Sequence, residues 1–244
     1  MLNDTQIPAP RVAIADTARS PTREWFRFFS NLYDFIGLGS GAVPTTSGGT
    51  GLTSYTTGDL LYASATNTLS RLPVGTDHCY LGTDATSMPQ WVPVGYGAYY
   101  DTTSPTFVAD TPTIIPVGTV QFERGMTLAA NKVTVTQTST YTITFSIQLT
   151  NATANDDRFI VWLRVNGVDV ADSASYLSVI KKHGADNGSA LATVNLFYQL
   201  TAGQYVELYG LSKLGYAQVN TYAASSSPAY PRSPGVILTL AQVV

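Results

Sequence analysis

Between residues 141 and 149, apolar side chains alternate with hydroxyl and amide ones: Tyr141, Ile143, Phe145, Ile147 and Leu149 against Thr142, Thr144, Ser146 and Gln148. Successive side chains of an extended chain point to opposite faces, so a period of two predicts a strand with one buried face. Phe159, Val161, Leu163 and Val165 repeat the pattern. Asn166-Gly167 follows, a pair that tolerates the left-handed backbone of a type I′ hairpin turn, before a return over residues 168–170. Further strands are expected at 174–181, 190–200, 204–213 and 235–243. So many short strands from about Gly97 onward, separated by Gly, Asn and Pro turns, predict a β-sandwich over residues 97–244.

A different period governs the start of the chain. Trp25, Phe29, Leu32 and Ile36 recur at i, i+4, i+7 and i+11, with Phe26 and Tyr33 on the same side and Phe28 and Phe35 widening the apolar surface. This spacing predicts one helix of about 16 residues. Ser20 is the expected cap, Pro21 suits the first helical position, Glu24 meets the positive end of the dipole and Gly37 supplies the stop. Before it, Pro8 and Pro10 predict an extended arm; after it, residues 38–47 read as a Gly/Ser linker. The segment carries no partner for its aromatic stripe in its own neighbourhood. Trp25, Phe26, Phe29, Leu32, Tyr33 and Ile36 are therefore candidate docking residues for an external surface or sister helices, the alternative being a fold-back onto the C-terminal domain.

Residues 48–96 obey neither period. Over 48–62, glycine and threonine leave Leu52, Tyr55, Leu60, Leu61 and Tyr62 as the only apolar residues able to drive folding. One copy does not offset an ordering entropy of roughly 1 to 2 kcal/mol per residue. Several chains wound together do, so an intertwined shaft is expected, with Pro73, Pro89 and Pro93 cutting it into pieces too short for a regular sheet.

Composition sharpens this division into 1–37, 38–47, 48–96 and 97–244. Only 12% of the 244 residues are charged, which implies that much surface is covered by hydroxyls, by glycine or by other subunits. A net charge of −3 gives no reason to expect a nucleic-acid partner, which calls for a clustered basic surface. Cys79 is the only cysteine, so no intrachain disulfide forms. Neither a signal peptide nor membrane insertion is expected, because no basic segment followed by an apolar run opens the chain.

Candidate chemistry is sparse. Asp77-His78-Cys79 offers three ligand types, but neighbouring residues of an extended chain face opposite ways, so no metal or other cofactor is expected. Asn155-Asp156-Asp157 lacks the spaced oxygen ligands and terminal Glu of a calcium loop and reads as a solvated turn. No Gly-x-Ser-x-Gly elbow occurs, and no enzyme activity is expected. The loop over 215–232 is richer. Tyr216, Tyr222 and Tyr230 among Ser and Asn make the composition of an adaptable binding loop, or of a surface loop that packs its own tyrosines.

Three stretches resemble known families. Gly-Gly-Thr-Gly at 48–51, Thr-Gly-Asp-Leu-Leu-Tyr-Ala at 57–63, Leu-x-x-Leu-Pro at 69–73, Gly75 and Pro-Gln-Trp at 89–91 resemble a segment of bacteriophage tail fibres. Pro-Ala-Pro-Arg-Val at 8–12 and Arg-Glu-Trp-Phe-Arg-Phe-Phe-Ser-Asn-Leu at 23–32 look like the N-terminus of phage structural proteins. Ser-Thr-Tyr-Thr-Ile-Thr-Phe at 139–145, Val-Asn-Gly at 165–167, Leu-Thr-Ala-Gly-Gln-Tyr-Val-Glu-Leu at 200–208 and Pro-Gly-Val-Ile-Leu at 234–238 are similar to the C1q and tumour necrosis factor head. That head is a ten-stranded jelly roll that assembles as a trimer. Together the resemblances imply a homotrimeric tail fibre of a phage virion, anchored through its N-terminus on the portal, an adaptor or the tail, with a C-terminal knob that meets a host surface glycan or protein. The alternative they leave is a capsid fibre or decoration protein on the head surface, with no host recognition.

Overall fold

The computed structural model describes residues 7–8, 11–35, 43 and 49–243. The chain divides after Val92 into two compact units.

In the first unit, helix α1 (Arg23–Phe35) begins two residues later than its sequence signals predict. Phe26 N donates to Thr22 O at 2.8 Å, so Thr22 and not Ser20 occupies the cap position, and Pro21 lies outside the helix in a bridge to Ala15. Ser20 is drawn away because Asp16 organises the preceding turn, its Oδ1 accepting from the backbone of Ala18 and Ser20. Glu24 sits in the first turn as expected. The expected linker, apart from Val43, and Gly37 lie outside the described residues.

The middle segment pairs within its own chain. Strands β1 (Leu60–Ala65) and β2 (Thr68–Leu72) form one antiparallel hairpin, and β3 (Cys79–Thr83) and β4 (Pro89–Pro93) form a second. The pieces between prolines are short, as expected, yet each is long enough for a two-stranded sheet. Trp91 ties the pairs together by donating from Nε1 to Pro73 O at 2.7 Å.

The second unit is built from β5 (Tyr96–Asp101), β6 (Thr113–Ile115), β7 (Thr119–Arg124), β8 (Met126–Ala129), β9 (Lys132–Val135), β10 (Ser139–Asn151), β11 (Asp157–Val165), β12 (Val168–Asp169), β13 (Ser175–Val179), β14 (Gly188–Leu200), β15 (Tyr205–Ser212), β16 (Ala217–Val219), β17 (Ser225–Ser226), β18 (Ala229–Tyr230) and β19 (Val236–Gln242). The first sheet runs β14-β10-β19-β5-β7, with β16 added beside β10. The second runs β12-β11-β15-β9-β8, with β13 also on β11 and β6 on β15. Both feed one core, the arrangement of a β-sandwich: Tyr141, Ile143, Phe145 and Ile147 from the first sheet are fully buried, as are Phe159, Val161, Leu163 and Leu208 from the second. Each such side chain contributes on the order of 1.5 to 3 kcal/mol by leaving water. Phe107, from the long connection after β5, meets Phe159 edge-to-face at 5.0 Å between ring centroids.

The turn after β11 is the predicted one. Asn166 and Gly167 have φ of 50° and 76°, the two left-handed residues that a type I′ turn demands. Gly210 is required for a different reason. A Cβ there would lie 2.7 Å from the Phe159 ring and 2.9 Å from Ile115, so the core closes over β15 only because nothing projects from it.

Candidate functional site

The structure brings the aromatic helix residues together. Trp25, Phe28 and Phe29 form a cluster with ring centroids 5.5 to 5.7 Å apart. Trp25 Nε1 donates to Val12 O at 3.1 Å and holds the arm against the helix. Trp25 and Leu32 are half covered, whereas Phe26 and Tyr33 remain 64% and 49% exposed, and Phe29 is exposed as well. The expected docking set thus divides into Trp25, which orders the arm, a half-covered Leu32, and an outer set open to a partner. Ile36, the last of that set, lies outside the described residues. In the middle segment Tyr55, Leu60 and Leu61 are exposed, so one chain does not bury the residues that would drive its folding.

The tyrosine loop takes a form the sequence did not signal. Tyr216 belongs to its foot, where residues 212–217 converge on Asp157. The Asp157 carboxylate accepts from Ser212 Oγ at 2.5 Å, from Leu214 N at 2.9 Å, from Tyr216 N at 2.8 Å and from Ala217 N at 2.9 Å. Only 5% of this residue is exposed, so the solvated turn expected at 155–157 is corrected: Asp157 is an interior anchor. Burial alone would raise its pKa, but the Ser212 hydroxyl and the backbone N–H groups of Ala217, Tyr216 and Leu214 outweigh it and hold the carboxyl below the ordinary aspartate value. Beyond this foot β16 pairs with β10, and a neck closes where Tyr222 and Ser233 exchange backbone hydrogen bonds of 3.0 and 2.9 Å. The tip is a small β17–β18 hairpin carrying Tyr230. Tyr216, Tyr222 and Tyr230 therefore sit at foot, neck and tip, and among the described residues no ring contact joins them.

The two outer faces of the sandwich differ in charge. Strand register places Thr142, Thr144 and Ser146 of β10, Leu191 and Phe197 of β14, Ile237 and Thr239 of β19, and Tyr96 and Tyr100 of β5 on the outer side of the first sheet. Asp101 is the only charged residue in those four strands, and it is buried and faces inward. Yet Phe197 is 67% exposed and Leu191 is 58% exposed. The second sheet shows water a mixture of rings and charges. Arg164 donates to Asp169 at 2.6 Å and stacks 4.1 Å above the Tyr209 ring, while Trp162 Nε1 donates to the same Asp169 at 2.7 Å. Lys132 pairs with Glu207 at 3.9 Å and lies over Tyr205.

At one end of this second face a shallow cavity of about 430 Å³ is lined by Asp156, Asp157, Arg158, Ser178, Ile180, Lys213 and Leu214. A smaller one, about 290 Å³, lies at the rim of the first face between Tyr100, Gln121, Arg232, Pro234 and Ile237. Among the described residues no group of three His, Cys, Asp or Glu side chains could hold a metal ion, and no helix is long and apolar enough to cross a membrane.

No protein-family model matches the chain, and comparison with curated proteins finds no match.

Proposed function

We propose that this protein is a non-enzymatic, homotrimeric fibre of a bacteriophage virion. Its helix docks on the tail or portal region, its middle segment joins three chains, and its C-terminal jelly-roll knob contacts the host surface. The observation that carries the reading is the uncharged outer face of β14-β10-β19-β5. An exposed face that is apolar and hydroxyl-bearing over four strands, with Arg124 of β7 and Arg232 only at its rim, is unfavourable in water and suits burial against copies of itself, because the middle of the face meets its like without stranding a charge. Each copy removes Phe197, Leu191, Tyr100 and Ile237 from water in the same step.

The strand order supports the jelly roll. The long strands change sheet each time, β10 to β11 to β14 to β15 to β19, as a chain does when it wraps a two-sheet roll. The likeness of the head to C1q and tumour necrosis factor, and of residues 48–91 to tail fibres, supports the trimer and the virion setting. Three modest sites per knob, and several knobs per particle, multiply a weak affinity through effective concentration.

Light scattering on the purified chain is expected to give three times 26.1 kDa. A mass of one chain would sink the trimer. Particles carrying the protein without residues 97–244 are expected to assemble but adsorb slowly; normal adsorption would instead leave a decoration protein that recognises no host molecule.

A further inference from the structure

We infer that the cavity at the Arg158 end of the second sheet is a binding site for a neutral oligosaccharide, with one pyranose ring in the cavity and its neighbour against Tyr176. This names a ligand class for the knob and rests on its proposed role in host contact. Three features of the cavity select the ligand. Its size, about 430 Å³, lies within the range of small-molecule sites. Its two flanks each carry an uncovered apolar side chain, Ile180 after β13 at 60% exposed and Leu214 after β15, which is also exposed. Between these flanks, residues 156–158 offer both kinds of hydrogen-bonding group: Arg158 supplies donors, and Asp156 supplies an acceptor oxygen beyond the one that receives Lys181 N at 2.8 Å.

A ligand that fits such a cavity has an apolar face and a rim of groups that both donate and accept. Sugar hydroxyls do both, and the C–H face of a pyranose suits Ile180 and Leu214. A carboxylate or phosphate at the same place would meet Arg158 but also the charge of Asp156, and Lys213 is already paired with Asp110. The balance of these groups therefore favours a neutral ring over an acidic one.

Register extends the site along the sheet. Ser178 lies opposite Arg158 and Tyr176 opposite Ile160, so Tyr176 stands on the same outer face, two residues from Ser178 and about 7 Å along the strand. Tyr176 is 68% exposed and offers a flat platform at low entropic cost. The cavity and the platform share one face with no strand between them.

The test is an array of neutral and acidic oligosaccharides probed with the full-length protein, followed by titration of whichever sugars are retained. Neutral oligosaccharides are expected to bind. Arg158→Ala and Tyr176→Ala should each weaken them about tenfold, the loss of one charged hydrogen bond or one stacked ring. Both side chains are on the surface, so melting temperatures and the mass by light scattering should not change. Tyr222→Ala and Tyr230→Ala, in the neck and tip of the other loop, should bind as the wild type does. The inference is overturned if no oligosaccharide is retained, if only acidic ones are, or if the neck and tip variants alone lose binding. A trimeric protein whose residues 97–244 are needed for adsorption but which retains no sugar would overturn this site and leave the proposed function standing.

Discussion

Asp157 gathers four donors from residues 212–217 onto one buried carboxylate, and in doing so joins the start of β11 to the chain leaving β15. Asp157→Asn keeps the shape but replaces one acceptor oxygen with a donor that faces N–H groups. The expected cost is about 3 kcal/mol, read as a lower denaturant midpoint at unchanged slope. The carboxyl has a folded pKa below its unfolded one. Its contribution is therefore complete above the unfolded value and is lost as pH falls through the folded value. Thermal midpoints of the wild type should drop steeply below about pH 4, and those of Asp157→Asn should drop less. At Gly210 the limit is space: Gly210→Ala forces a methyl group into Phe159 and Ile115 and should cost about 1 to 3 kcal/mol by the same denaturant measurement. Neither role was legible in the sequence. Asn-Asp-Asp reads as a polar turn until Ser212 and the following backbone arrive from more than fifty residues away, and a lone glycine does not announce the ring that lies over it.

Elements with one clean period were legible. The alternation of residues 141–149 became β10, the pattern at 159–165 became the body of β11, and the expected 190–200 and 235–243 became β14 and β19, within two residues at their ends. The hairpin after β11 was readable because Asn166-Gly167 states its own backbone. Asn166→Ala should destabilise by about 2 kcal/mol, combining the left-handed φ with loss of the Oδ1 acceptor for Tyr205 N, and should lower the melting temperature. Residues 113–135 were harder. They form four strands of three to six residues, and in β7 Val120 and Phe122 are exposed, so alternation does not mark a buried side. The helix kept its aromatic face, but its start moved to Thr22 because Asp16 claims the backbone of Ser20. If the outer helix residues dock on the particle, Phe26→Ser combined with Tyr33→Ser should lower the copies per virion in quantitative gels while leaving the melting of the C-terminal unit unchanged.

For the whole molecule, the proposed trimer turns on the contrast between the two faces of the sandwich. A single charge placed in the uncharged face, Ser146→Lys or Phe197→Glu, would have to be buried unpaired in an assembly made there. Light scattering should then shift from three chains toward one, whereas Arg158→Ala on the other face should leave the mass unchanged. Part of this was visible in the sequence as a low charge count, but which side of which strand lacked charge required the register of β10 against β14 and β19. The neck between Tyr222 and Ser233 closes the base of the loop. The backbone pair there brings the ends of residues 223–232 side by side, Thr221 Oγ1 accepts from Gly235 N at 2.9 Å just below it, and Asp157 fixes the foot without touching the tip. A segment that leaves and re-enters through one closed gate can be lengthened, shortened or exchanged without re-registering a single core strand. A foreign peptide inserted at the β17–β18 tip is therefore expected to leave the melting temperature of the second unit unchanged.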